Sequence, residues 1–330
     1  MTSKISGKGL ALAEKIVKGD VRATAKLIRR IDDRDPGVFS ELRALYAYAG
    51  RSHVVGFTGT PGVGKSTLVD RIVAKFRRDK KTVVIIAVDP TSPFTGGAIL
   101  GDRVRMQQHA LDEGVFIRSM ATRGAFGGLT RSTADAILVL EAMGKDVIIV
   151  ETVGVGQDEV DIVHNAQTTV VVTVPGMGDD IQAIKAGLME IGDLFVVNKS
   201  DLEGALKTVR DLRFMLETSS DRFKCAGWTP QVIQTVATDD SGIEELYQAL
   251  HDHRRHLESG GGEGLSKIQT DRITRQLLDL LKEHLMERAL VKLGGQDALK
   301  GVVQEIVAKK KDPYGACFEL VEKLIGGTPT

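Results

Sequence analysis

Cysteine is nearly missing from this chain. There are two, Cys225 and Cys317, far apart and in no CxxC spacing. That excludes a disulfide framework and a cysteine-built metal site. Net charge is missing as well, because 44 Lys and Arg balance 44 Asp and Glu. Broad nucleic-acid binding usually leaves a basic excess, so that class is set aside, although a local basic patch stays open. No apolar run approaches the roughly 20 residues of a membrane span. The opening Met1-Thr2-Ser3-Lys4-Ile5-Ser6 leads into a stretch broken by Lys8, Glu14 and Lys15. It holds no signal-peptide core, and Thr2 in place of glycine excludes myristoylation. The expectation is a soluble, cytoplasmic protein with no nucleic-acid and no membrane partner.

What is present is a change of rhythm along 330 residues. The first fifty read as short helices. Asp20 can cap a helix through Val21, Ala25, Leu27 and Ile28, and Asp35-Pro36 opens another over Val38–Tyr48, which Gly50 stops. From residue 53 the pattern becomes Val- and Ile-rich runs separated by helical segments. The runs are Val54–Thr58, Val83–Val88, Val147–Val150, Thr169–Val174, Leu194–Val197 and Val232–Val236. Their lack of alternation fits parallel strands covered on both faces. The fold class is α/β, a doubly wound, mostly parallel sheet. Ser259-Gly260-Gly261-Gly262-Glu263-Gly264 reads as a flexible linker before three helices. The expected organisation is an N-terminal helical extension (1–50), a P-loop domain (51–258) and a linker with a C-terminal helical arm (259–330).

Gly59-Thr60-Pro61-Gly62-Val63-Gly64-Lys65-Ser66 matches GxxxxGK[ST], after a strand and before a helix that begins near Lys65 and runs on through Thr67. Its backbone N–H groups and helix N-terminus suit phosphate oxygens, Lys65 suits the β- and γ-phosphates, and the Ser66 hydroxyl suits Mg²⁺. Thr60 stands where one ATPase subclass carries a second lysine. Asn198-Lys199-Ser200-Asp201 ends a later strand and reads as NKxD. A carboxylate at Asp201 would face the guanine N1–H and 2-amino donors, which adenine lacks. As a bare tetrapeptide it could also cap the next helix. Val236-Ala237-Thr238 occupies the place of a third base-binding loop, and only Ala237 keeps the usual pattern.

Two more acidic residues end strands, at Asp89-Pro90 and at Glu151-Thr152-Val153-Gly154, a DxxG motif with Glu for Asp. Both stand where open α/β sheets bind ligands. Either can hold Mg²⁺ directly or through water, and Gly154 can offer its N–H to the γ-phosphate. Asp89 could equally start a turn. Val155 follows Gly154, at the place of the water-orienting glutamine of Ras-like GTPases, so hydrolysis should be slow unless Gln157 or Asp102 positions the water. Asp102 could instead cap a helix over Arg103–Ala110.

The runs DPTSPFTGGAILGDRVRM (89–106), ETVGVGQDEVDI (151–162) and VPGMGDDIQAIKAG (174–187) resemble the MeaB/ArgK (MMAA-like) family of SIMIBI-class GTPases. The resemblance extends over almost the whole chain. It implies a homodimeric, Mg²⁺-dependent GTPase that hydrolyses GTP to GDP and phosphate. Its implied partner is an adenosylcobalamin-dependent acyl-CoA mutase, with an adenosyltransferase as a further partner. Such proteins gate cobalamin loading and protect or reactivate the mutase, and the chain itself is not expected to bind cobalamin. The resemblance implies nucleotide switches at Asp89–Asp102 and Glu151–Asp158. It implies a third switch at Gly176–Lys185, with Asp179, Asp180 and Lys185 relaying the nucleotide state. By themselves these three read equally as helix-start acids and a surface cation. The C-terminal arm, with its stripe Leu277, Leu278, Leu281, Leu285 and Ala289, is implied to make the dimer, though such a stripe could also pack on its own domain. A kinase and a metallochaperone are the rival classes. The second would need metal ligands, and the grouping His251, His253 and His256 reads as a solvated helix end.

Overall fold

The computed structural model describes residues 8–89, 109, 111–121, 128–152, 165–176, 191–218, 227–260 and 264–326. The chain divides into two compact units, Met1–Arg272 and Ile273–Thr330. The first opens with α1 (Lys8–Val17), α2 (Val21–Asp32) and α3 (Phe39–Leu45). Asp20 caps α2 as its sequence suggested, its side chain accepting the Ala23 N–H at 2.9 Å. Asp35 likewise accepts the Gly37 N–H at 2.7 Å. The helix expected over Val38–Tyr48 is shorter, however. Pro36–Val38 and Tyr46–Tyr48 are 3₁₀ turns on either side of α3, the tighter geometry common at helix ends.

Among the described residues seven strands follow, all paired in parallel: β1 (His53–Thr58), β2 (Val83–Asp89), β3 (Val115–Ala121), β4 (Val147–Thr152), β5 (Thr168–Thr173), β6 (Leu194–Val197) and β7 (Gln231–Gln234). Their order is β3-β2-β4-β1-β5-β6-β7. Six of them were visible in the sequence. β3 was not, because Arg118 and Ser119 interrupt its apolar run. Arg118 is accommodated at the sheet's edge by an ion pair with Asp32 of α2 at 2.9 Å. The last strand ends earlier than expected, at Gln234, and Val236 forms only an isolated antiparallel bridge to Ser241.

Helices cover both faces, which is why the strands need no polar alternation. Within the first unit these are α2, α4 (Lys65–Arg78), α5 (Gly128–Ala142), α6 (Ala205–Thr218) and α7 (Ile243–Glu258), and α8 (Gly264–Leu293) begins after them. One core joins Val54, Ile86 and Ile148 to Leu27, Ile28 and Ile31 of α2 and to Ile137 and Leu140 of α5. The other joins Val55, Phe57, Ile85 and Val172 to Leu68 and Ile72 of α4 and Leu246 and Leu250 of α7. A smaller cluster packs Leu212 and Leu216 of α6 on Val171, Phe195 and Val197. Each fully buried Leu, Ile or Phe contributes about 1.5–3 kcal/mol relative to exposure. Arg272, near the start of α8, lies 3.9 Å from the buried carboxylate of Glu141 on α5.

The second unit holds the rest of α8, α9 (Gln296–Val307) and α10 (Pro313–Ile325). Asp312 caps α10 by accepting the Tyr314 and Gly315 N–H groups. Lys292 donates to the Leu324 carbonyl, and Lys311 bridges Glu305 and Glu319. Leu277, Leu281, Leu285 and Phe318 are all exposed.

The histidines of α7 correct the reading of a solvated helix end. His251 meets the rings of Phe76 and Tyr247, whereas His253 is buried and lies 4.7 Å from the Trp228 ring, which His256 also approaches. His253 Nδ1 is 2.8 Å from Thr168 Oγ1, and the same hydroxyl is 2.8 Å from His53 Nε2. His253 Nε2 faces the Asp193 carboxylate at 3.6 Å. The Asp193 carboxylate beside His253 Nε2 favours a proton on that nitrogen, and the neutral ring then accepts at Nδ1. His53 Nε2–H donates to Thr168, Thr168 donates to His253 Nδ1, and His253 Nε2–H points at Asp193. The chain of bonds staples α7 beneath the N-terminal ends of β1, β5 and β6.

Burial lowers His53 to about 3 and His253 to about 4. Both are neutral in the folded chain, while the unfolded chain takes up these protons below about pH 6.5. Their contribution to stability is therefore intact above pH 6.5 and is lost as pH falls towards 4. Urea unfolding at pH 7.5 and 4.5 should reveal a loss of stability in the parent that exceeds the loss in His253→Gln by up to about 3 kcal/mol. Equal losses in the two proteins would contradict the assignment.

Candidate nucleotide site

β1 lies where the strand order reverses, between β4 on one side and β5 on the other, and such a switch point opens a crevice at the strands' C-terminal ends. The loop leaving β1 fills that crevice. Gly59 has φ +138°, and a Cβ there would lie 2.1 Å from the Val172 carbonyl oxygen. Only glycine fits. Gly64, φ +92°, precedes α4 and leaves no room either, since a Cβ would stand 2.5 Å from Asn198 Nδ2. No side chain caps α4. The N-cap is Gly64, which brings no side-chain acceptor of its own to the helix N-terminus, the end of a helix that suits an anion. Val63 is buried, while Pro61, Gly62 and Thr67 face solvent. Lys65 is buried and donates to the Gly59 and Thr60 carbonyls at 2.5 and 3.0 Å, which curls its ammonium over the loop.

On the β4 side, the Ser66 hydroxyl donates to the Glu151 carboxylate at 2.6 Å, and both residues are buried. The sequence reading named both as metal ligands, and the fold brings them together although 85 positions separate them. A hydroxyl and a carboxylate side by side are the hard oxygen donors that Mg²⁺ prefers, so the residues fit the ion. Asp89 ends β2, the neighbour of β4. Asp102, Gly154, Gln157, Asp179, Asp180 and Lys185 lie outside the described residues.

On the β5 side, Asn198 follows β6 and is buried. Its Nδ2 donates to the Val63 carbonyl at 2.8 Å. Its Oδ1 accepts the Thr235 hydroxyl at 3.0 Å and the Ala237 N–H at 3.2 Å. Lys199, at φ +54°, sends its Nζ to the Gly62 carbonyl at 2.9 Å. Asp201 is exposed beside them. The Ala237 N–H, in the loop that the sequence placed at the base, is thus engaged by Asn198. Val236 and Thr238 complete this loop, and Arg71 of α4 holds it through the Ala237 and Thr238 carbonyls at 3.1 and 3.3 Å. Sequence reasoning missed Thr235 and Arg71. Arg71 carries no motif and meets its partners across 166 positions.

The family profile described as methylmalonyl Co-A mutase-associated GTPase MeaB matches residues 25–293. The chain belongs to the MeaB family. A Pyrococcus abyssi protein is 48% identical over 318 residues, covering 96% of this chain and 97% of its own. The GTPase ArgK of Escherichia coli is 40% identical over 222 residues, 67% of each chain. The mitochondrial methylmalonic aciduria type A homolog of Caenorhabditis elegans is 30% identical over 293 residues, 83% of this chain and 72% of its own. Among solved structures, one of a LAO/AO transport system kinase aligns with a TM-score of 0.65 at 26% identity, covering 98% of this chain and 99% of that one. This MeaB-family chain is a P-loop GTPase with an α/β fold, and a guanine nucleotide is its ligand. Among the described residues no helix is long and apolar enough to cross a membrane.

Removing the Asn198 carboxamide would leave the Val63 carbonyl, the Thr235 hydroxyl and the Ala237 N–H without this partner. Each orphaned buried group costs about 1–3 kcal/mol. Asn198→Ala should therefore weaken GDP binding at least about tenfold and lower the Tm, measured by fluorescent-GDP titration and by calorimetry. Unchanged GDP affinity would show that the bracket does not hold the loop in its binding shape.

Proposed function

We propose that this MeaB-family GTPase uses GTP binding and hydrolysis to gate cobalamin loading of an adenosylcobalamin-dependent acyl-CoA mutase, and to protect or reactivate it. The observation that carries this reading is the family match over residues 25–293, whose description names a mutase association. The similarity to the methylmalonic aciduria homolog supports it. The substrate mutase is methylmalonyl-CoA mutase or a close relative, and an adenosyltransferase is a further partner.

In this reading the loop N–H groups and the start of α4 hold the phosphates. Lys65 exchanges the Gly59 and Thr60 carbonyls for the β- and γ-phosphates. Ser66 and Glu151, with Asp89 and Asp102, hold Mg²⁺ directly or through water. The bound ion supplies charge neutralisation at the β- and γ-oxygens. Asp201 reads the guanine N1–H and 2-amino group, and Asn198 and Lys199 brace the phosphate loop from the base side. Gly154 donates to the γ-phosphate, and Gln157 or Asp102 orients the water that Val155 cannot. Asp179, Asp180 and Lys185 relay the nucleotide state to the mutase. The 1–50 extension and 51–258 form the nucleotide-handling body. The arm beyond 259 makes a homodimer by covering the exposed stripe of α8. The protein acts in the cytoplasm.

Specificity is tested at Asp201. Asp201→Asn should exchange guanine preference for xanthine, because an amide at this place pairs with the xanthine oxygen as the carboxylate pairs with the guanine amine. Competition of GTP, XTP and ATP for both proteins reads this out, and an Asp201→Asn protein that still prefers GTP would remove Asp201 from the base site.

Partner coupling is tested by phosphate release. The free protein should be slow, and the cognate mutase should accelerate it at least about tenfold, which requires only ~1.4 kcal/mol of additional transition-state stabilisation. Lys185→Ala should blunt the acceleration while leaving the basal rate and GDP affinity in place. A parent that no cobalamin mutase accelerates would end the chaperone reading.

A further inference from the structure

Three cations stand on one side of α4. Arg71, Lys75 and Arg78 follow the i, i+4, i+7 spacing that shares a helix face. Lys75 and Arg78 meet the Glu244 carboxylate at 3.1 and 3.0 Å, at the surface, where such pairs contribute little. Arg71 behaves differently. It donates to two successive backbone carbonyls, from Nε to Ala237 at 3.1 Å and from Nη2 to Thr238 at 3.3 Å. A guanidinium holds these donors in a rigid fork, so both carbonyls are fixed in direction as well as in place.

The two carbonyls belong to a tight turn. The Asp239 N–H donates to the Val236 carbonyl at 3.0 Å, and the Val236 N–H to the Ser241 carbonyl at 3.0 Å. Ala237 and Thr238 are the central pair of the first of these turns. Types I and II of such a turn differ by turning over the peptide between the central residues, and type II needs a positive φ at the second. Thr238 is not among the residues with positive φ, which excludes type II. In a trans peptide the C=O and the following N–H point opposite ways. With the Ala237 carbonyl held on Arg71, the Thr238 N–H therefore faces away from the guanidinium. Among the described residues that N–H has no hydrogen-bond partner, and Thr238 is exposed. The Ala237 N–H, by contrast, is engaged by Asn198 Oδ1 at 3.2 Å.

We propose that Arg71 is a positioning residue for guanine recognition: it holds the central peptide of this turn so that the Thr238 N–H meets the 6-oxo oxygen of the base. This rests on the base-side reading of the 236–238 loop and of Asp201 given above. It adds a donor for the one edge atom that a carboxylate cannot read. Adenine carries an amine at that atom, so the same N–H would meet a donor there and the mismatch would add to the rejection. Arg71 stands in the second turn of the helix that Lys65 and Ser66 begin, so the base donor is aimed from the phosphate side.

The test compares two affinity gaps by calorimetric titration of the full chain with GDP, IDP and 2-aminopurine riboside diphosphate. IDP lacks only the 2-amino group, which Asp201 reads. The aminopurine nucleotide keeps that group and lacks the 6-oxygen and the N1 proton. In Arg71→Ala the gap between GDP and the aminopurine nucleotide should shrink about fivefold to tenfold, the share of one hydrogen bond, while the gap between GDP and IDP stays at its parent value. Arg71→Lys keeps the charge without the fork and should shrink the first gap several-fold, which also covers an alanine variant that does not fold. A merely structural Arg71 would lower all three affinities together and leave both gaps in place, and that result overturns the proposal. So does a variant in which both gaps shrink alike, because Asp201 has then moved as well. A parent that shows neither gap would remove the base-side reading itself.

Discussion

The phosphate loop leaves β1 through a space that admits no side chain. A Cβ at position 59 would collide with the Val172 carbonyl of β5, so the chain can turn there only as glycine. That contact presses the loop against the neighbouring strand and fixes everything downstream. It sets the direction of α4, brings Val63 under the Asn198 carboxamide, and leaves Lys65 long enough to fold back over its own loop. The site is therefore built from backbone packing first and side-chain chemistry second.

The sheet then separates two tasks on either side of one strand. Towards β4 lie the hydroxyl and carboxylate suited to a hard cation, Ser66 and Glu151. Towards β5 and β6 lie Asn198, Lys199 and Asp201, held by Thr235 and, through the next loop, by Arg71. Because β1 has a parallel partner on each side, each group hangs from a separate strand end, and the phosphate loop touches both. Positional precision comes from this shared loop. Its carbonyls accept from Lys65, Asn198 and Lys199 together.

The sequence made the chemistry more legible than the packing. Ser66 could be named from the phosphate-loop motif, and Glu151 because it falls at a strand's C-terminal end, where an open α/β sheet collects ligands. The helix cap at Asp20 was readable because capping is local. β3 was not readable, since Arg118 makes sense only once Asp32 of α2 is seen to meet it. His253 looked like a solvent residue among polar neighbours. Its burial depends on Thr168 and Trp228, which no window along the chain includes. What remained hidden was set by long-range contacts, which periodicity cannot report.

The contact between Gly64 and Asn198 limits how such a protein could be re-engineered or could diverge. Asn198 Nδ2 stands where a side chain at position 64 would begin, and its Oδ1 gathers Thr235 and Ala237. The phosphate loop and the base loop are thus one interlocked part, and neither can be grafted from another NTPase without the other. Exchange of specificity by single steps is confined to the exposed rim, where Asp201 stands clear of the lock. Drift in this lineage should accordingly leave Gly64 and Asn198 as a frozen pair and spend its variation outside them.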